Sequence, residues 1–174
     1  MNSDEFILSM LVNNESGVLT RVSGLFARRA FNIDSLSVGV TAEPSISRIT
    51  ITARGDDYVK NQIMRQLEKL QDVKVVEMMP RDTTVMRELF LIKLNITQKE
   101  RAGLMEAVAV FRAKVVDLNN DSVTFEITGE CSKCNAFVEY LRPFGIAELC
   151  CTGLTAISRG CKTLTMDSDS AEQK

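Results

Sequence analysis

What most limits how this 174-residue chain can fold is a change of hydrophobic period that runs its course twice. Residues 6 to 12, FILSMLV, are almost wholly apolar, as in a strand covered on both faces. Val18, Leu19, Val22, Leu25 and Phe26 then recur at helical spacing and predict a helix over about 17–30 with one buried stripe. Leu36, Val38 and Val40 alternate, as do Ile49, Ile51 and Ala53, so two strands are expected around a turn at 41–45. A second helix carries Val59, Ile63, Leu67 and Leu70 on one face, with Asp56-Asp57 as its cap, and VKVVEMM (73–79) is a strand. The order is βαββαβ.

Pro80 to Thr84 is polar and lacks periodicity, and after it the order begins again. ELFLIKLNI (88–96) reads as a strand, and Leu104, Val108 and Phe111 mark a helix. KVVDL and SVTFEIT are strands joined across Asn119-Asn120-Asp121. A helix with Phe137, Val138 and Leu141 follows, and IAELCC ends the unit. The expected fold is α+β: two ferredoxin-like units, each an antiparallel four-stranded sheet with two helices on one face. The domains are placed at 1–80 and 86–160, with a linker at 81–85 and a loose tail at 161–174. Units of about 80 residues bury modest cores, so contacts between subunits would help them.

Composition excludes several classes. The net charge of −2 offers no general attraction to nucleic acid or an acidic membrane. SRITITARG lacks the stacking aromatics that an RNA-binding unit of the same strand order needs. Arg87, Glu88 and Lys93 interrupt the best apolar run well short of the ~18 residues of a membrane span. The polar, acidic start MNSDEF does not read as a signal peptide, so a cytoplasmic location with reduced cysteines is expected. An active site is not indicated: there is no histidine, no G-x-S-x-G and no cluster of carboxylates at useful spacing.

The polar corner Asn14-Glu15-Ser16-Gly17 between the first strand and helix has two readings. Helix N-termini present unpaired N–H groups and favour negative charge. Gly17 leaves them accessible, and Asn14 adds an amide that can donate to a carboxylate or accept from an ammonium. With no second glycine and no lysine, and with Glu15 beside it, the corner suits an amino-acid headgroup better than a phosphate. Alternatively, Asn14 or Ser16 only caps the helix. Asn32 is a second amide at the far end of that helix, at a distance from Asn14 that sequence leaves open.

NNESGVLTRVSGLFARRAFNIDSLSVG followed by SRITI, then RELFLIKL, FRAKVVDL, ITG and LRPFGIAELCCTGLTAISRG, resembles the small regulatory subunit of acetohydroxyacid (acetolactate) synthase over about residues 5–160. The resemblance implies an ACT domain in the first unit and homodimerisation through ACT domains. It also implies a branched-chain amino acid effector, usually valine, bound between subunits. On that basis Asn14, Gly17, Val18 and Asn32 are expected effector contacts, with Asn32 reaching in from a partner subunit, and Ile33 and Val38 line the apolar pocket. It further implies a separate catalytic large subunit that carries thiamine diphosphate, magnesium and FAD. The small subunit carries no cofactor of its own; it raises the activity of that partner and confers feedback inhibition in branched-chain amino acid biosynthesis.

The cysteines offer a competing site. Cys131 and Cys134 form a C-x-x-C at a strand-to-helix junction, with Cys150, Cys151 and Cys161 beyond. A zinc site or dithiol switch would make the chain a metal- or redox-responsive regulator. Against zinc, the later cysteines are not spaced as a second C-x-x-C and no histidine is present. The family resemblance puts Cys134 where relatives usually carry an apolar residue, and Cys151 where they often carry an arginine before Thr-Gly. Ordinary thiols are therefore the expectation, with no metal ligand assigned.

Overall fold

The computed structural model describes residues 5–166. Its elements are β1 (Glu5–Asn13), α1 (Val18–Arg28), β2 (Ile33–Val40), β3 (Ile46–Arg54), α2 (Asp57–Leu67) and β4 (Val73–Met78), then β5 (Thr84–Asn95), α3 (Gln98–Phe111), β6 (Lys114–Leu118), β7 (Ser122–Gly129), α4 (Cys131–Leu141), β8 (Ile146–Cys151) and β9 (Thr155–Ser158). Both sheets are antiparallel. The first has the order β2-β3-β1-β4 and the second β6-β7-β5-β8, with β9 also pairing β5. Two ferredoxin-like βαββαβ units therefore follow one another, as the periodicity predicts.

The chain forms two compact units, and the first is discontinuous: residues up to Val85 are joined by the chain from Leu154 onward, while Met86–Gly153 form the second. Sequence placed 154–160 in the second domain and 161–174 in a tail; by contact, 154–166 belong with the first unit, and 167–174 lie outside the described residues.

The return segment is tied to β2 and β4 of the first sheet, whose strand β1 is buried on both faces. Phe6, Leu8, Met10 and Val12 join Val18, Val22, Leu25 and Phe26 of α1 and Ile63 and Leu67 of α2 in one core. The alternate residues Ile7, Ser9 and Leu11 point to the other face, yet they too are buried. Leu154 and Ala156 are buried as well, and Leu154 is fixed to β2: Ser37 Oγ donates to its carbonyl at 2.8 Å and its N–H donates to Ser35 Oγ at 3.3 Å. Lys162 pairs with Glu77 of β4 at 2.7 Å. Each large apolar side chain withdrawn from water contributes about 1.5–3 kcal/mol, which is why a strand built this way is sandwiched rather than left half wet.

The other local expectations are refined in detail. Asp56 caps α2 through Val59 N–H at 2.8 Å. Residues 81–83 form one 3-10 turn, and β5 starts at Thr84, earlier than the apolar run suggested. In the second unit Phe90, Ile92 and Leu94 pack with Phe125, Ile127 and α4, where Phe137 meets Phe125 edge-on and Phe111 at 5.0 Å. Among the described residues no helix is long and apolar enough to cross a membrane.

Candidate effector site

The β1–α1 corner is held open by its backbone. Gly17 takes φ +85° as the N-cap of α1, in the left-handed region where a side chain is strained. No side chain hydrogen-bonds the first turn, so the capping reading for Asn14 or Ser16 fails. Asn14 instead faces the β2–β3 hairpin. Its N–H donates to Ser45 O at 2.7 Å and its Nδ2 to Pro44 O at 2.9 Å, while its Oδ1 accepts from Ser47 Oγ at 3.1 Å. The side chain is exposed but oriented from three sides, and one amide hydrogen and one carbonyl lone pair have capacity left.

Arg21 completes the corner and was not singled out from sequence. Its guanidinium hangs over Gly17, where an added Cβ would lie 3.1 Å from Nη1, and its Nε donates to Asp72 at 2.5 Å. That hydrogen bond holds the Arg21 pKa above its ordinary value, with desolvation opposing it and the charges of Asp72 and Glu15 adding smaller support. The i, i+4 spacing from Gly17 was readable, but the partner 51 residues away was not. The corner thus offers bare helix N–H groups, an anchored amide and a nearby guanidinium. Chemically, that combination can hold a carboxylate beside an ammonium.

The predicted residues do not all meet within one chain. Asn14, Gly17 and Val18 share the corner at the Val40 end of the sheet. Asn32 and Ile33 lie at the opposite end, across an eleven-residue helix about 16 Å long. Asn32 is exposed and its Nδ2 donates to Asp34 at 2.8 Å. Val18 is buried in the core with its N–H donated to Glu15 O at 3.4 Å, and Ile33 packs at the core's edge, so neither presents a free group to the corner. Val38 and Val40 alternate as expected but stay 47% and 59% exposed, because β2 is an edge strand; Leu19 on the first turn of α1 is also exposed. These three leave an apolar rim beside the corner with nothing from the first unit covering it.

Cys131 and Cys134 lack the lowered thiol pKa of an activated pair. Cys134 is fully buried in the second core and acts there as a small apolar residue. Burial, and then the Glu88 carboxylate, push both the Cys131 and Cys134 thiols above their ordinary range, opposite to an activated thiolate. Among the described residues no group of three potential ligands could hold a metal ion.

Residues 8–75 match the family model of the AHAS small subunit-like ACT domain, which makes the first unit an ACT domain by both fold and sequence. Residues 87–160 match the model described as small subunit of acetolactate synthase. An acetolactate synthase small subunit from Mycolicibacterium smegmatis is 47% identical, the match covering 88% of this chain and 90% of that protein. Another from Mycobacterium bovis is 44% identical over 92% and 95%. The crystal structure of the acetolactate synthase small subunit from Thermotoga maritima superposes with a TM-score of 0.84 at 37% identity, covering 90% of this chain and 98% of that one. The chain belongs to the acetolactate synthase small-subunit family, as a regulatory subunit built on an ACT domain.

Proposed function

We propose that this chain is a valine-responsive regulatory subunit: it binds and activates a catalytic large subunit and transmits feedback inhibition when a branched-chain amino acid occupies its ACT dimer interface. The observation that carries the reading is the separation of the two amides along one edge strand. β2 has only one neighbour in its sheet. A two-fold axis beside it would pair β2 antiparallel with its copy, setting the Ile33 end of one strand against the Val40 end of the other. Asn32 of the partner subunit would then approach the corner formed by Asn14, Gly17 and Arg21. Leu19, Val38 and Val40 would be covered in the same step.

In this geometry the helix N–H groups and Arg21 take the effector carboxylate, the two amides orient its ammonium, and the apolar rim takes its aliphatic side chain. Few polar anchors and a close apolar wall are what a small aliphatic ligand needs. A ligand shared between subunits senses their arrangement, and a differential affinity of about 1–3 kcal/mol suffices to regulate a partner. The ketoacid chemistry, with its thiamine diphosphate, magnesium and FAD, is assigned to the large subunit.

Calorimetry on the chain with valine, leucine, isoleucine and asparagine tests the effector reading, with the expected preference for the branched-chain ligands. Adding the chain to a thiamine-dependent synthase large subunit, with and without valine, tests regulation. No branched-chain binding would refute the effector site. Unchanged synthase activity despite binding would refute the partner.

A further inference from the structure

Gly39 sits in the interior of β2, where glycine weakens a strand and calls for a reason. Backbone conformation does not supply one, since its φ lies outside the left-handed region. Crowding does not either: an added Cβ would meet nothing within 4 Å. The residue directly across the ladder is Arg48. Arg48 and Gly39 share the sheet face away from α1 and α2, the face that the return segment partly covers.

Arg48 is half-buried there, and its Nε donates to Ser9 Oγ at 2.8 Å. Among the described residues it has no carboxylate within ion-pairing distance. Glu77 acts on it from further off and is already paired with Lys162. Burial holds its pKa below the ordinary guanidinium value. A partly desolvated cation of this kind retains unmet capacity for an anion.

A cavity of about 380 Å³ lies against it, lined by Ser37, Val38, Gly39, Val40, Thr41, Arg48, Thr50 and Thr155. Arg48 is the only charged group in that lining; the remainder is hydroxyls, two valines and the space left by Gly39. The carboxylates of Glu43 and Glu77 lie outside this lining. We infer that Arg48 and the space opposite Gly39 form a second ligand site, for a small aliphatic monocarboxylate, beneath Thr155 of the return segment. Its carboxylate takes the planar fork of Arg48, and its short alkyl part lies over Gly39, against the backbone of β2. The site is on the opposite face of the sheet from the Gly17 corner, and does not depend on the effector reading. Thr41, which begins the hairpin anchored by Asn14, borders it and connects the two physically.

Propionate is the probe, followed by backbone amide NMR of the full chain. Saturable shifts centred on Gly39, Thr41 and Thr155 are expected. Arg48→Met should weaken binding at least about tenfold, the size of a lost charge-assisted hydrogen bond. Arg48→Lys keeps the charge without the fork and should fall between. Gly39→Val fills the cavity with a residue suited to a strand, leaves Arg48 intact and should abolish the shifts. Gly17→Asp should leave propionate binding unchanged, and valine should not compete with it. Undiminished binding in Arg48→Met or Gly39→Val, displacement by valine, or equal displacement by inorganic phosphate would each overturn the proposal.

Discussion

Gly17→Asp, compared with Gly17→Ala, separates a ligand site from a helix terminus that is merely bare. Both substitutions place a Cβ at φ +85°, a strain of about 1–2 kcal/mol for alanine. The new Cβ would lie 3.1 Å from Arg21 Nη1, but that is the end of an exposed, flexible side chain, so backbone strain dominates over the clash. For a chain of this size each kcal/mol lowers the melting temperature by about 2–4 °C, so the alanine variant should melt about 2–8 °C lower. Aspartate tolerates the left-handed region better, and a negative charge at a helix N-terminus returns about 0.3–1 kcal/mol. Gly17→Asp should therefore be at least as stable as Gly17→Ala. Binding should show the reverse order. A carboxylate about 4 Å from the effector's own costs between about 1 kcal/mol in a water-like setting and about 4 kcal/mol at a partly screened surface. Valine affinity should therefore drop about fivefold or more below that of the alanine variant. Calorimetry with valine and thermal unfolding of both variants provide the measurements. Equal valine affinity in the two would mean that no carboxylate sits at the N-terminus of α1, whatever the melting temperatures.

Asn14→Ala should remove the bonds to Pro44 and Ser47, lowering stability by about 1 kcal/mol in urea titrations and valine affinity by more than Ser47→Ala does. Asp56→Ala should cost about 1 kcal/mol through loss of the α2 cap without changing valine affinity, as read by calorimetry. Phe137→Ala, at a fully buried position flanked by Phe111 and Phe125, should cost about 3–5 kcal/mol in the same urea titrations. Cys131, although exposed, should alkylate slowly at pH 8 because partial desolvation of its sulfur and then Glu88 raise its thiol pKa. Glu88→Gln removes the charge, lowers that pKa and should speed the reaction, as followed by mass-resolved iodoacetamide labelling.

How much of this was legible from sequence depends on the range of the interaction. Local periodicity was enough to predict the doubled βαββαβ order, because each helix stripe and strand alternation is written within one element. The apolar run Phe6–Val12 likewise announced a strand covered twice. It could not announce the return segment, since Leu154 and Ala156 arrive from almost 150 residues away, Ala156 in a strand of only four residues. Asn14 illustrates the same limit at the site. Its amide was recognisable as unusual at a strand–helix corner, but the bonds that orient it come from residues 30 and more positions on. Arg21 was passed over for a similar reason: its hold on Asp72 crosses the unit.

The distance between Asn14 and Asn32 is where sequence resemblance and structure constrain each other most. Resemblance assigns both amides to one effector, while the fold sets them at opposite ends of α1. No rotamer change spans about 16 Å of helix. Either one assignment is wrong, or the pocket is closed by a second chain. The second alternative carries a consequence that the first does not: valine binding and dimerisation are the same equilibrium viewed from two sides. Diluting the chain should then weaken its apparent affinity for valine, and saturating valine should shift sedimenting species toward the dimer. A substitution that blocks pairing along β2, such as Leu36→Pro, whose N–H alternates with those bonded to β3 and so faces the open edge, should abolish binding while leaving Gly17 and Asn14 in place. If a monomeric Leu36→Pro chain still bound valine at full affinity, Asn32 would have to be struck from the site and the pocket sought within one subunit.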